Sequence, residues 1–406
     1  MLTQGWRPAT ALLAAAGLVS LATLAAAPAP DAAAASADSI QAKEQWVLSM
    51  LNAQEAWSVT RGAGVTVAVI DSGVNPHVSD LSGSVITGPN YTGVTTRPSS
   101  SDWGVHGTWM ASLIAGHGHD GGLSGVIGVA PEARILSIRV IPDRGDPHYR
   151  QYEREPETLI QQSLADGIRY AITHGAQVIS MSIGYSTQSG VVREELQQAY
   201  DRGVVVIASA GNSGGPVGPG DGEAPESFPA NYPGVISVGA VKQSGAVAGF
   251  SSDNLSVQVA APGVSVPAQG RDQQYWSVSG TSPACALVAG VAALIKAKYP
   301  GLAPYLIASA LTSTTTDRPA GGYNSQLGFG IVDAAAALAK AGELARARPV
   351  KAGLAATAKY RGVLPQEPVL PRGSGQLVLF AILGLVSLAL SAAAGTALVI
   401  FRRANR

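Results

Sequence analysis

Among 406 residues there is a single cysteine, Cys285. That excludes any intramolecular disulfide and leaves stability to packing. Charge is scarce too: 13% of residues are Asp, Glu, Lys or Arg, and the formal net charge is +0. No basic patch stands out, so nothing points to a nucleic-acid partner. There is no internal repeat and no dense carboxylate loop of the kind that binds calcium. His117 and His119 stand beside Asp120, but their spacing fits no tetrahedral ligand set, and no metal is expected there. Small and apolar residues are plentiful, with 48 glycines and 46% hydrophobic residues. This suits a tightly packed α/β core with small residues where helices meet strands.

The two ends have their own patterns. Arg7 precedes an apolar run over 11–22, followed by small-residue cleavage options up to Ala37. Residues 1–37 therefore read as a secretory signal. Residues 377–401 carry no charge, and the run is long enough to cross the ~30 Å hydrocarbon core as a helix. Arg402, Arg403 and Arg406 follow at once. A span over 376–401 with a cytoplasmic tail at 402–406 would leave the rest of the chain outside the cell membrane. Residues 346–375, rich in Ala, Pro and Gly, read as an extended spacer. What remains is one large domain over 61–345, preceded by an arm at 38–60 whose Trp46, Val47, Leu51 and Trp57 are apolar enough to dock on the body. So short an arm leaves no room for a separate folding domain ahead of the large one.

Within that domain, short apolar runs alternate with helix-length stretches. Strands are expected at 65–71, 134–140, 177–183, 204–210, 235–240 and 257–261. Helices are expected at 106–116, 157–174, 191–201, 281–298, 304–311 and 333–344. This order predicts an α/β fold, a doubly wound, mostly parallel sheet with helices on both faces. Chemistry in such sheets gathers at the carboxyl ends of the strands, and Asp71 stands at one such end. His106 opens a helix, and Asn212 follows another strand. Ser282 lies in Ser279-Gly280-Thr281-Ser282, at the start of a small-residue helix, where backbone N–H groups and the helix dipole would receive an oxyanion. Each has a plainer reading, as a solvated strand end, a helix cap or an Asx turn.

Together the four segments, in the order Asp, His, Asn, Ser, resemble the subtilisin-like serine proteases, or subtilases, whose triad order is the known template. The resemblance implies that Ser282 is the nucleophile, that His106 is general base and then general acid, and that Asp71 orients the imidazole. Asn212 and the Ser282 backbone N–H would hold the oxyanion. It implies that an extended peptide lies along Ser182, Ile183 and Gly184, with Ala210 and Gly211 helping to wall the first pocket. Tyr185 stands where a smaller residue is common, and Ala286 and Leu287 replace a usual Pro and His. No cofactor is implied. Calcium is common in the family, but the sequence places no site for it. Signal, protease domain, spacer and single span together resemble the mycosins, the membrane-anchored subtilases of type VII secretion. Those usually carry disulfides, which this chain cannot form. The expected partners are a protein or peptide substrate, the membrane and a type VII secretion complex. Two functions stay open: an endopeptidase, or a structural stabiliser of a membrane secretion complex whose proteolysis is incidental.

Overall fold

A computed structural model describes residues 37–214 and 224–347. The expected signal and spacer, except for residue 37 and residues 346–347, and the expected span and tail lie outside the described residues, as does most of the Gly/Pro-rich stretch at 214–226. In chain order the elements begin with α1 (Ala37–Met50), α2 (Ala53–Trp57), β1 (Thr66–Asp71), β2 (Val85–Asn90) and α3 (Val105–Ala115). There follow β3 (His117–His119), β4 (Ser124–Ile127), β5 (Arg134–Arg139), α4 (Tyr149–Tyr152), α5 (Glu157–Thr173), β6 (Val178–Met181) and α6 (Gly190–Asp201). The rest are β7 (Val205–Ser209), β8 (Val235–Val241), β9 (Val257–Pro262), β10 (Val266–Gln269), β11 (Tyr275–Val278), α7 (Thr281–Lys298), α8 (Pro304–Ser313) and α9 (Ala334–Arg346).

Seven strands form one sheet in the order β2-β5-β1-β6-β7-β8-β9, and every neighbouring pair is parallel. From β1 the chain passes to β2 and β5 on one side, then crosses to β6 on the other side and runs on through β7. The switch point of the sheet therefore lies between β1 and β6, and a crevice is expected beyond their carboxyl ends. Successive side chains of a strand point to opposite faces, and β1 is buried on both. Val67 and Val69 join a core with α3 and α7, whereas Ala68 and Ile70 join a second core with α5 and α6.

Helix α7 runs through the first core. Residues 283–296 of it are all buried, and its small residues let it lie close to its neighbours. A Cβ at Gly290 would come within 2.6 Å of the Val129 Cβ. By length and composition α7 is apolar enough to cross a membrane, but its most apolar window is 83% buried inside the domain. It is a core helix.

The six expected strands and six expected helices are present with ends shifted by a few residues at most. Five strands are additional. Edge strand β2 contains Gly88 and Pro89 and is half exposed, so it lacks the continuous apolar signature of its neighbours. The others form two short antiparallel hairpins, β3–β4 and β10–β11. The arm is helical. In α1, Val47 is 1% exposed, Leu51 just beyond it is 0%, and Trp57 at the end of α2 donates its indole N–H to the Val129 carbonyl at 2.8 Å.

Candidate active site

Strand β1 delivers Asp71 to the carboxyl edge of the sheet, where its side chain is 1% exposed. Oδ1 accepts the Ser72 N–H at 2.6 Å and meets His106 Nδ1 at 2.8 Å. A carboxylate can only accept, so Nδ1 carries a hydrogen and Nε2 is left as the basic nitrogen. Burial works against a charge on the ring. The charge and hydrogen bond of Asp71, with the nearby charge of Asp143, outweigh that burial and hold the His106 pKa above its ordinary 6.5, while Arg144 pulls the other way.

His106 is the second residue of α3. The first N–H groups of a helix lack partners within it, and Gly104, at the cap, has no side chain to offer. Asp143, from the loop after β5, fills the gap. Its Oδ2 accepts the Val105 N–H at 2.9 Å and its Oδ1 accepts the His106 N–H at 2.8 Å. The next N–H, of Gly107, donates to Ser72 Oγ at 3.0 Å. Gly107 has to be glycine, because a Cβ there would stand 2.1 Å from the Gly73 carbonyl oxygen. Arg139, 1% exposed, donates from Nε to the Ser72 carbonyl and from Nη2 to Asp146 Oδ2 at 2.7 Å. The turn after Asp71 is thus held from below.

Ser282 is the second residue of α7 and is half-buried. Its carbonyl accepts the Ser182 hydroxyl at 3.2 Å. Before it, Thr281 fixes Asn212: the Thr281 N–H and Oγ1 both donate to Asn212 Oδ1 at 2.9 Å. A backbone N–H can only donate, which assigns the amide orientation and turns its donor side, Nδ2, away from Thr281. One turn past Ser282, Cys285 is 0% exposed, with Sγ against Ser180 and the Met181 carbonyl. Burial pushes its thiol up to about 12, so it is an inert filler of the core.

Ser282 and Asn212 open onto one cleft of about 390 Å³, which Ser182, Ile183, Gly184, Tyr185 and Gly211 also line. Ala210 does not line it. It is 0% exposed, and its N–H is bonded to the Val238 carbonyl at 3.0 Å. Alternation along the chain turns Ser209 and Gly211 toward the opening instead. Ser227, Glu226 and Arg144 also line the cleft. Tyr185 pairs reciprocally with Phe228 through backbone bonds of 2.9 Å, a short ladder that builds the far wall. Asp71 and His106 are not among the residues that line the cleft; α3, which carries His106, packs on α7, which carries Ser282, and Arg144, next to Asp143, borders the cleft.

The His117–His119 stretch has a structural use. His119 Nδ1 meets the buried Asp80 carboxylate at 2.7 Å, and both nitrogens of His117 meet backbone carbonyls. No group of three potential ligands gathers among the described residues.

Sequence reasoning did not single out Asp143, Ser72, Thr281 or Arg139. Only Asp143 had a visible signal, an acid just beyond an expected strand end. Each of the four has a partner remote in sequence.

Hydrolysis of an acyl bond by serine needs a hydroxyl, a neutral imidazole held by an acid, and donors for the oxyanion. The carboxyl edge of this sheet carries all of those residue types, which places the molecule among the serine hydrolases of the doubly wound class. Comparison narrows the class. Residues 62–330 match the family model of the subtilases, Peptidase S8. The chain is 35% identical to subtilisin DY of Bacillus licheniformis over 257 residues, covering 63% of this chain and 85% of that one. It is 31% identical over 290 residues to the minor extracellular protease Epr of Bacillus subtilis, covering 71% of this chain but only 41% of that protein's length. Among solved structures, the MycP3 protease from the type VII (ESX-3) secretion system is 31% identical. That match covers 72% of this chain and 87% of that one, with a TM-score of 0.62. This chain belongs to the subtilase family. It is a serine endopeptidase of subtilisin-like fold.

Proposed function

We propose that Ser282 is the nucleophile of this subtilase, with His106 as general base and acid, Asp71 as the group that orients the ring, and Asn212 with the Ser282 N–H as the oxyanion donors. The observation that carries this reading is the 2.8 Å contact between Asp71 and His106 Nδ1, which leaves Nε2 to take the serine proton. Attack on a peptide carbonyl would give a tetrahedral oxyanion and then an acyl-enzyme. Protonated His106 would return its proton to the leaving amine, and water would release the acid. Extended peptide would pair along Ser182–Gly184, with its leading side chain in the cleft between that segment and Gly211.

The same reading places the protease outside the cell, anchored by residues 376–401 after export by residues 1–37, and working beside a type VII secretion complex. The apolar run with its arginine tail supports the anchor. The likeness to MycP3 supports the setting.

Labelling of the full-length protein with a fluorophosphonate tests the catalytic assignment. Wild type is expected to label covalently, and Ser282→Ala and His106→Ala are expected not to. Labelling of Ser282→Ala at the wild-type rate overturns the assignment. Absence of labelling in folded wild type would return the chain to a structural role in a membrane complex.

A further inference from the structure

The start of α3 is capped differently from the other helices whose caps are made by side chains. Helices α6 and α9 use the side chain of their own cap residue, Ser189 on Val192 and Asp333 on Ala336. Helix α3 has Gly104 there, and the capping carboxylate comes from 37–38 residues along the chain. Both oxygens of Asp143 are engaged, and one of them holds the backbone N–H of His106 itself. Asp143 is 7% exposed. A carboxylate so withdrawn from water is costly unless its charge is used.

We propose that Asp143 is a positioning residue for His106: it fixes the start of α3 against the end of β5 and sets a second negative charge beside the imidazole. The proposal rests on His106 being the general base. Strands β5 and β1 are direct neighbours in register, Asp71 opposite Arg139. The acid that orients the ring ends β1, and the acid that anchors its backbone follows the neighbouring β5 by four residues. A catalytic ring has to be held within a few tenths of an ångström, and besides the Asp71 bond to the ring only Asp143 and Ser72 bond the N–H groups of residues 105–107 at the start of the helix. The two bonds to Asp143 are charge-assisted.

The charged groups around the ring are few. Asp71 faces it from β1, and Asp143 and Arg144 face it from the loop after β5. Arg139, on β5, is turned to the Ser72 carbonyl and Asp146. Asp71 and Asp143 favour the charged imidazole, and Arg144 opposes it. Removing the Asp143 charge therefore makes His106 a weaker base that titrates at lower pH, and removing Arg144 moves it the opposite way.

The test is the pH dependence of fluorophosphonate labelling of the full-length protein, which needs no knowledge of the natural substrate. Asp143→Asn loses the charge and sets an NH₂ donor against one of the two N–H groups. Its plateau rate is expected to fall roughly tenfold, with the titration midpoint moved to lower pH. Asp143→Glu keeps the charge and both acceptors on a longer stem, so its rate should fall while its midpoint stays near wild type. Arg144→Ala, an exposed substitution, should move the midpoint to higher pH. An Asp143→Asn protein with wild-type rate and midpoint overturns the proposal. So does a rate loss that vanishes once corrected for the folded fraction measured by circular dichroism, since Asp143 would then only stabilise the fold. Wild type that fails to label at all would instead overturn the catalytic role of Ser282 and His106.

Discussion

A carboxylate acts on a histidine ring by charge and by hydrogen bond, and Asp71 does both to His106 at 2.8 Å. The base has to be neutral to accept the serine proton, so activity rises as pH climbs through the His106 pKa. Because that pKa lies above the ordinary 6.5, the acidic limb of kcat/KM is expected to have its midpoint above 6.5 in a peptide assay. A midpoint at or below that value contradicts the electrostatics. The same pairing favours the protonated ring in the folded state. Its contribution to stability is complete below 6.5 and is lost as pH rises through the folded pKa. Asn212 has a different signature. Its carbonyl side is occupied by Thr281, and in the proposed mechanism the amide it presents acts mainly on the oxyanion. Asn212→Ala is expected to lower kcat by roughly 10²–10³ with little change in KM. A loss confined to KM would show that it only lines the cleft. The four residue types of the site were legible in the sequence because each sits beside a turn or helix start of recognisable composition. Their supports were not, because Asp143 and Thr281 act through bonds to residues 37 and 69 positions away.

At the scale of elements, α1 is the part whose role the packing defines. It lies against β4 and β10, and none of its described residues lines the cleft. It buries Val47 and Leu48, and it also buries Glu44, 2% exposed, whose Oε2 accepts the Ile127 N–H at 2.9 Å. Burial raises the Glu44 pKa well above 4.5, the hydrogen bond from Ile127 opposes that, and Asp80 adds to it. A carboxyl whose folded pKa is raised stabilises the fold below its unfolded pKa, and that benefit is lost as pH climbs through the folded pKa. The brace should therefore hold best in mild acid and loosen toward neutrality. Glu44→Gln keeps the acceptor and removes the charge, so it should raise the melting temperature at pH 7 by roughly 2–5 °C. It should also flatten the decline of melting temperature above pH 4.5 and leave labelling of Ser282 unchanged. A variant less stable at pH 7 would mean that the carboxylate is wanted ionised. The sequence marked this segment as an arm with apolar residues to bury. Its helical form was hidden, because the residues that make it a helix are chosen by what they dock on.

At the scale of the whole molecule, the proposed export signal, tether and protease domain occupy separate stretches of the sequence. Truncation near Gly373 is expected to release a soluble protein that still labels with fluorophosphonate, while the full chain needs detergent for extraction. A truncated chain that stays with the membrane fraction would place the anchor elsewhere. By itself the sequence determined the alternation of strands and helices, the subtilase order of Asp71, His106, Asn212 and Ser282, and the apolar core of small residues. These are written in local composition and period, which a chain carries before it folds. Only the tertiary structure decided which side chains share a cleft and which lie behind it. Ala210, expected on the pocket wall, is buried, and Ser209 and Gly211 face the opening, because a strand's alternation cannot be phased until the sheet is assembled. It likewise decided that a carboxylate from the loop after β5 would hold the first turn of α3. No local pattern encodes that contact, since it exists only once β5 lies beside β1 and α3 lies across both.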